Sequence, residues 1–262
     1  MPRIVSKIDN LNERNMEFEQ RPLTEPVFLN SVPKCGTHLI RNIMRMFVPV
    51  DQQYGKLFIQ YPKLRESQDA FSLAKPYLSW GHLLYGDESA ISLRRVNHLV
   101  LVREPYDWVL ARARFFMSDT YKGSLDNIKG GNVTPEDVLN MMIMGIPEKS
   151  PSMYDIFTHN AVSWLSTHAR VLQFEELLGH VKNLDSHEAE TFFAGLLESL
   201  HMGELPHDWR ERVRIGSDRE QSSTARENLE RMTIEIPHEL PERHKRLVDY
   251  AVPGLRAILG YE

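Results

Sequence analysis

Cysteine is nearly absent: Cys35 is the single one in 262 residues. An intrachain disulfide is therefore excluded, and so is a zinc cluster built on paired cysteines. A lone thiol fits a reducing compartment. A basic excess is also lacking. Lys and Arg total 31 against 36 Asp and Glu, a formal net charge of -5. Bulk nucleic-acid binding rests on the opposite balance. Positive groups that meet an anion must then be gathered locally. No apolar run approaches the roughly 18 to 20 residues of a membrane span. The opening "MPRIVSKIDNLNERNMEFEQRP" lacks the apolar core of a secretory signal. No internal repeat, low-complexity tract or H-E-x-x-H motif occurs, and no metal is called for. These absences point to a soluble, cytoplasmic protein that binds neither nucleic acid nor membrane, with its oligomeric state open.

What is present suits one sizeable core, since 42% of the residues are hydrophobic. Residues 1–25 are polar and predict an irregular lead-in; 26–262 predict one α/β domain. "PVFLNS" and "NHLVLV" read as buried strands, each followed by a helical pattern: "THLIRNIMRMF" and "YDWVLARARFF". "PYLSWGHLLY" reads as a strand entering a loop, and "ARVLQFEELL" as a strand entering a turn. Thr134 and Pro135 open a short helix as N-cap and first residue. "DIFTHNAVSWLS", "SHEAETFFAGLLESLHM" and "PERHKRLVDYAVPGLRAILGY" are helical. Strands alternating with helices predict a parallel sheet flanked by helices.

The stretch "VPKCGTH" falls between the first strand and its helix. Ligands of parallel sheets bind outside the carboxyl ends of strands. A helix N-terminus there offers unpaired amides and the positive end of its dipole. Gly36 permits close backbone approach, Thr37 and His38 add donors, and Lys34 adds charge. The turn has the chemistry of a phosphate cradle. It is not the usual nucleotide loop, G-x-x-x-x-G-K-[ST], in which lysine follows the second glycine; here lysine precedes the glycine.

The turn resembles the 5'-phosphosulfate loop of the sulfotransferases, P-K-S-G-T-T. "LVLVREPYDWVLARARFF" resembles the same family's 3'-phosphate segment, with Arg103, Pro105 and Asp107 at the matching positions. A guanidinium fork at a strand end suits a phosphate. "VLQFEELL" and the terminal "LGY" are weaker echoes. "LSWGHLLY" lies where the family carries its catalytic histidine, which makes His82 the match. The resemblance implies a cytosolic-type enzyme of P-loop-like α/β fold that uses 3'-phosphoadenosine 5'-phosphosulfate. It implies a small-molecule acceptor with a hydroxyl or amine, and in-line transfer of the sulfuryl group.

By that resemblance Lys34, Cys35, Gly36, Thr37, His38 and Arg103 hold the donor. Lys34 also meets charge on the bridging oxygen, and His82 takes the acceptor proton. His38 competes as base but is assigned to phosphate contact. The family's late glycine-rich segment has a partial match in Arg214, Gly216 and Ser217. The pattern is broken in places. Ala111 stands where a serine contacts the 3'-phosphate, with Ser118, Arg112 or Arg114 as substitutes. Leu39 stands where an aromatic meets adenine. The acceptor pocket is expected from residues 49–76, the turn at His82 and residues 117–152, whereas "MMIMG" is more readily core than pocket wall. Two alternatives remain: a nucleotide-binding protein of the same fold without turnover, and a P-loop-like kinase.

Overall fold

A computed structural model describes residues 3–4, 8–123, 125–222, 225 and 234–261. Five strands form one parallel sheet: β2 (Val27–Ser31), β3 (Ile59–Gln60), β4 (Leu78–His82), β5 (Asn97–Val102) and β7 (Arg170–Gln173). Their order is β3-β4-β2-β5-β7. A two-residue strand, β1 (Arg3–Ile4), pairs separately and antiparallel with β6 (Tyr121–Lys122). The chain enters the sheet at its centre with β2, runs to one edge, steps back to β4, and then crosses over to β5 and β7. Neighbours of β2 are thus reached in opposite directions. The carboxyl end of β2 is therefore the topological switch point, the place at which such sheets bind ligands.

The central strands are buried along nearly their whole length, as in sheets covered by helices on both faces. Val27, Phe28 and Leu29 of β2, and Leu99 to Val102 of β5, are fully buried. The helices are α1 (Leu11–Asn15), α2 (Thr37–Arg45), α3 (Asp87–Leu93), α4 (Pro105–Met117), α5 (Pro135–Met144) and α6 (Met153–Asn160). They continue with α7 (Phe174–Lys182), α8 (His187–Ser199), α9 (Trp209–Ser217), α10 (Glu242–Ala251) and α11 (Leu255–Ile258). Thr134 caps α5 in a reciprocal box with Asp137, and Pro135 is its first residue. Met142 and Ile143 of α5 are core, while Met144 is exposed. Among the described residues no helix is long and apolar enough to cross a membrane.

Three local expectations need correction. The polar lead-in is not irregular throughout, because it carries α1. Asn15 donates to the Arg45 and Val48 carbonyls, and Leu11 is fully buried. The turn expected after "ARVLQ" is the start of α7. Arg214, Gly216 and Ser217, expected as a partial match to the donor-binding segment, lie on helix α9. A Cβ on Gly216 would stand 2.5 Å from the Ile43 Cα and 2.7 Å from the Asn42 carbonyl oxygen. Glycine is needed there because α9 lies directly against the backbone of α2.

Candidate functional site

The turn after β2 is held from three sides. Its Val32 amide donates to the Leu101 carbonyl of β5 at 3.1 Å. Trp108 of α4 donates through Nε1 to the Pro33 carbonyl at 2.6 Å. Phe174 of α7 packs under Gly36, where a Cβ would meet its ring at 2.4 Å. Gly36 has φ +98°, and Lys34 has φ +73°, a region that costs a side-chain-bearing residue energy. Among the described residues the amides of Lys34, Gly36, Thr37 and His38 meet no acceptor. Four free donors therefore lie together at the N-terminus of α2, where the dipole favours an anion.

Cys35 faces the other way. Its amide donates to the Val32 carbonyl at 3.1 Å and its side chain is fully buried. Burial pushes its thiol well above the usual range. Neither its amide nor its thiol is offered to a ligand, which corrects its expected place among the donor contacts.

Lys34 stands with Nζ 3.4 Å from the Phe115 ring centroid. Burial, with the charge of Arg103 beside it, pulls its ammonium down to about 7. His38 is half-buried, and its Nδ1 has no hydrogen-bond partner among the described residues. Burial, aided by Arg41 and Lys34, brings it down to about 3. His82 is the last residue of β4, next to β2 in the sheet. Its Nδ1 lies 2.8 Å from the Ser31 carbonyl oxygen and 3.1 Å from Ser31 Oγ. Phe58 closes on its ring edge-on at 4.8 Å between centroids. Burial holds the imidazole at about 4, so it is neutral near pH 7. Thr37 Oγ1 is 2.7 Å from Ser31 Oγ. Asn30 clips the ends of β2 and β4 together, accepting from the Leu83 amide at 2.9 Å and donating to its carbonyl at 3.1 Å.

Arg103 leaves the carboxyl end of β5. Its guanidinium lies 4.7 Å over the Phe174 ring, and its Nε is 4.0 Å from Glu175 Oε1, beyond hydrogen-bond reach. That Nε is buried without an acceptor among the described residues. Glu175 is held by the Glu104 amide at 3.2 Å and by the Tyr261 hydroxyl at 2.8 Å. Glu104 caps α4 by accepting from the Asp107 amide, and its other oxygen receives Arg256 Nε at 2.7 Å. Asp107 thus serves the cap through its backbone. Lys34, Gly36, Thr37, His38, His82 and Arg103 come together at neighbouring strand ends.

The late segment does not join them. Arg214 is exposed on α9, 3.2 Å from Asp185, and Ser217 Oγ donates to the Arg214 carbonyl. Gly216 is consumed by packing on α2. The following positions 223–224 and 226–233 lie outside the described residues. Two substitutes for the serine missing at position 111 are committed elsewhere. Arg112 is buried on the Met142 and Pro151 carbonyls and Ser150 Oγ, and Ser118 Oγ donates to the Phe115 carbonyl. Arg114, one turn beyond Ala111 on the same face of α4, donates to the Pro237 carbonyl at 2.6 Å.

Sequence reasoning missed the roles of Ser31, Phe115, Phe174, Glu175 and Tyr261. Ser31 had a signal: Asn30 and Ser31 are polar residues at the end of an otherwise apolar buried run. The others lie in segments that resemble the family, Phe115 in "ARARFF", Phe174 and Glu175 in "VLQFEELL" and Tyr261 in "LGY". Their contacts to the turn, to Arg103 and to Glu175 join positions far apart in the chain.

No protein-family model matches the chain, and no curated protein matches it. Among solved structures, mouse sulfotransferase SULT7A1 complexed with PAP superposes with a TM-score of 0.55. The match covers 96% of this chain and 92% of that chain at 13% sequence identity. The shared feature is the fold, a parallel five-stranded sheet flanked by helices.

Proposed function

We propose that the chain is a sulfotransferase, moving a sulfuryl group from 3'-phosphoadenosine 5'-phosphosulfate to a hydroxyl or amine of a small-molecule acceptor. One observation carries this reading. In a chain of net negative charge, free amides and the cations Lys34 and Arg103 gather at one strand-to-helix turn. That turn lies at the switch point of a fold shared with a sulfotransferase solved with PAP. The residues present fit such a donor. Four amides and the positive φ of Gly36 form a cradle, while the buried Arg103 Nε and His38 Nδ1 still lack partners among the described residues. A buried donor left unpaired costs about 1–3 kcal/mol, and a ligand oxygen relieves it.

When bound, the donor supplies an activated sulfuryl group and a nucleotide leaving group. The amides of the turn, Thr37 and His38 hold its 5' side, and Arg103 holds the 3'-phosphate with a charge-assisted hydrogen bond. Lys34 brings the positive charge that offsets negative charge on the bridging oxygen. The His82 ring, neutral at pH 7, accepts the acceptor proton at Nε2, because Nδ1 is engaged with Ser31.

A second reading, nucleotide binding without turnover, draws on the Lys34 ammonium standing over Phe115. One experiment separates the readings. The protein is incubated with donor labelled in the sulfuryl group, a panel of hydroxylated small molecules, and labelled ATP in parallel. Sulfated product from the first donor alone is expected. Donor binding without product supports the second reading, and phosphorylated product identifies a kinase.

A further inference from the structure

Ser31 is the last residue of β2 and is fully buried, and the reaction as described leaves its hydroxyl without a task. Its carbonyl oxygen is 2.8 Å from His82 Nδ1. A carbonyl only accepts, so Nδ1 carries the ring proton and the lone pair of the neutral ring is on Nε2. Ser31 Oγ, 3.1 Å from the same Nδ1, can then only accept from it. The hydroxyl's own proton has two acceptors in reach: Thr37 Oγ1 at 2.7 Å and the Gly81 carbonyl at 3.5 Å. The shorter contact takes it. Thr37 Oγ1 is thereby an acceptor, and its own proton finds no partner among the described residues. Thr37 is the first residue of α2, beside the free amides.

We propose that Ser31 is a positioning residue that couples the anion cradle to the base through a one-way hydrogen-bond chain. His82 Nδ1–H is shared between the Ser31 carbonyl, the nearer acceptor, and Ser31 Oγ; Ser31 Oγ–H points to Thr37 Oγ1, and Thr37 Oγ1–H to the bound anion. This rests on the reading of His82 as base and of the turn as donor site. Hydrogen bonds in a chain polarise one another. An anion that accepts from Thr37 makes Ser31 Oγ a stronger acceptor toward the ring, and Nε2 becomes more basic. The acceptor proton is then drawn most strongly when the donor is in place. The titratable groups facing His82 are Lys34 of the turn and His38 of α2. Both carry protons of their own, so neither supplies the link that the Ser31 hydroxyl makes.

The test uses the whole chain with labelled histidine nitrogens, read by NMR with and without adenosine 3',5'-bisphosphate. Wild type is compared with Ser31→Ala, Ser31→Thr and Thr37→Val. Ligand-free wild type should show the Nδ1–H tautomer at His82. Bisphosphate should raise the His82 titration midpoint further in wild type than in Ser31→Ala or Thr37→Val. Turnover of Ser31→Ala should fall on the order of tenfold, with donor affinity kept within about threefold and the rate recovered in Ser31→Thr. If Ser31→Ala does not fold, Thr37→Val carries the same comparison. An Nε2–H tautomer in the ligand-free protein overturns the proposal. Equal midpoint shifts in all variants overturn it as well. Should bisphosphate fail to bind, the coupling falls with the sulfotransferase reading, and an intact Nδ1–H tautomer then shows that the reading failed and not the hydrogen-bond chain.

Discussion

The Lys34 ammonium rests 3.4 Å from the centroid of the Phe115 ring. The contact is a cation–π pair in a buried setting, and Arg103 adds like charge beside it. Burial first, and Arg103 second, leave this lysine half-charged near pH 7. An anion at the turn binds the charged form.

Donor affinity should therefore depend on pH in a defined direction. Below about 7 the ammonium is already charged in the free protein. As pH rises toward 9 the free protein loses that proton and binding must restore it. Affinity then weakens, at most about tenfold per pH unit. Lys34→Met should bind more weakly at pH 7 yet show a flat response between pH 7 and 9. Its turnover should drop by roughly 10²–10³-fold. Titration calorimetry across that window, with single-turnover rates, checks both. Wild-type turnover in Lys34→Met would remove the lysine from the mechanism.

Arg103→Ala should lose discrimination between adenosine 3',5'-bisphosphate and adenosine 5'-monophosphate. A charged hydrogen bond of this type contributes about 1.5–3 kcal/mol. The Phe174 ring and Glu175 that hold the guanidinium stay in place, so the fold should survive. Competition binding with the two nucleotides measures the ratio. A variant that keeps the full preference would assign the 3'-phosphate to another group.

The two histidines should divide their effects. His82→Ala should lower turnover by about 10²–10⁴-fold with nucleotide affinity nearly unchanged. His38→Ala, at the helix N-terminus, should weaken nucleotide binding first. The loss in His82→Ala should be larger with an aliphatic alcohol than with a phenol, whose proton leaves more readily. Side-by-side affinity and rate measurements decide, and a reversed split would exchange the two assignments.

His98 lies in β5 between Phe28 and Trp164, and neither ring nitrogen has a partner among the described residues. Burial, then the charge of His168, holds it at about 3 against 6.5 in an open chain. Between those values the unfolded chain binds a proton that the folded one refuses. Stability from this group is thus complete above about 6.5 and is lost as pH falls, with a slope up to about 1.4 kcal/mol per unit. His38 and His82 act in the same direction. His98→Leu should be at least as stable at pH 7, since it removes two unsatisfied atoms, and should lose less between pH 7 and 5. Urea midpoints at the two pH values test this. Parallel losses in wild type and variant would exclude His98 from the acid response.

The sequence by itself determined what neighbouring residues decide. "PVFLNS" is a buried strand because an apolar run bounded by prolines has few other uses. Thr134 caps a helix because its hydroxyl reaches an amide three residues on. Lys34, Gly36 and Thr37 mark an anion turn because the amides, the positive φ and the helix dipole arise within one short segment. Arg103 was legible for the same reason, at the end of an apolar run.

The tertiary structure decided the rest. Gly216 was expected by resemblance in the donor site, yet it serves the contact of α9 with α2. Cys35 sits in the middle of the turn, yet it points into the core. Ser31 meets His82 across 51 residues, and Glu104 meets Glu175 across 71. Nothing local in the chain announces those pairs. They exist because the order β3-β4-β2-β5-β7 sets the carboxyl ends of β2 and β4, and of β5 and β7, side by side. Hydrogen bonds act over about 3 Å of space, whatever the separation along the chain.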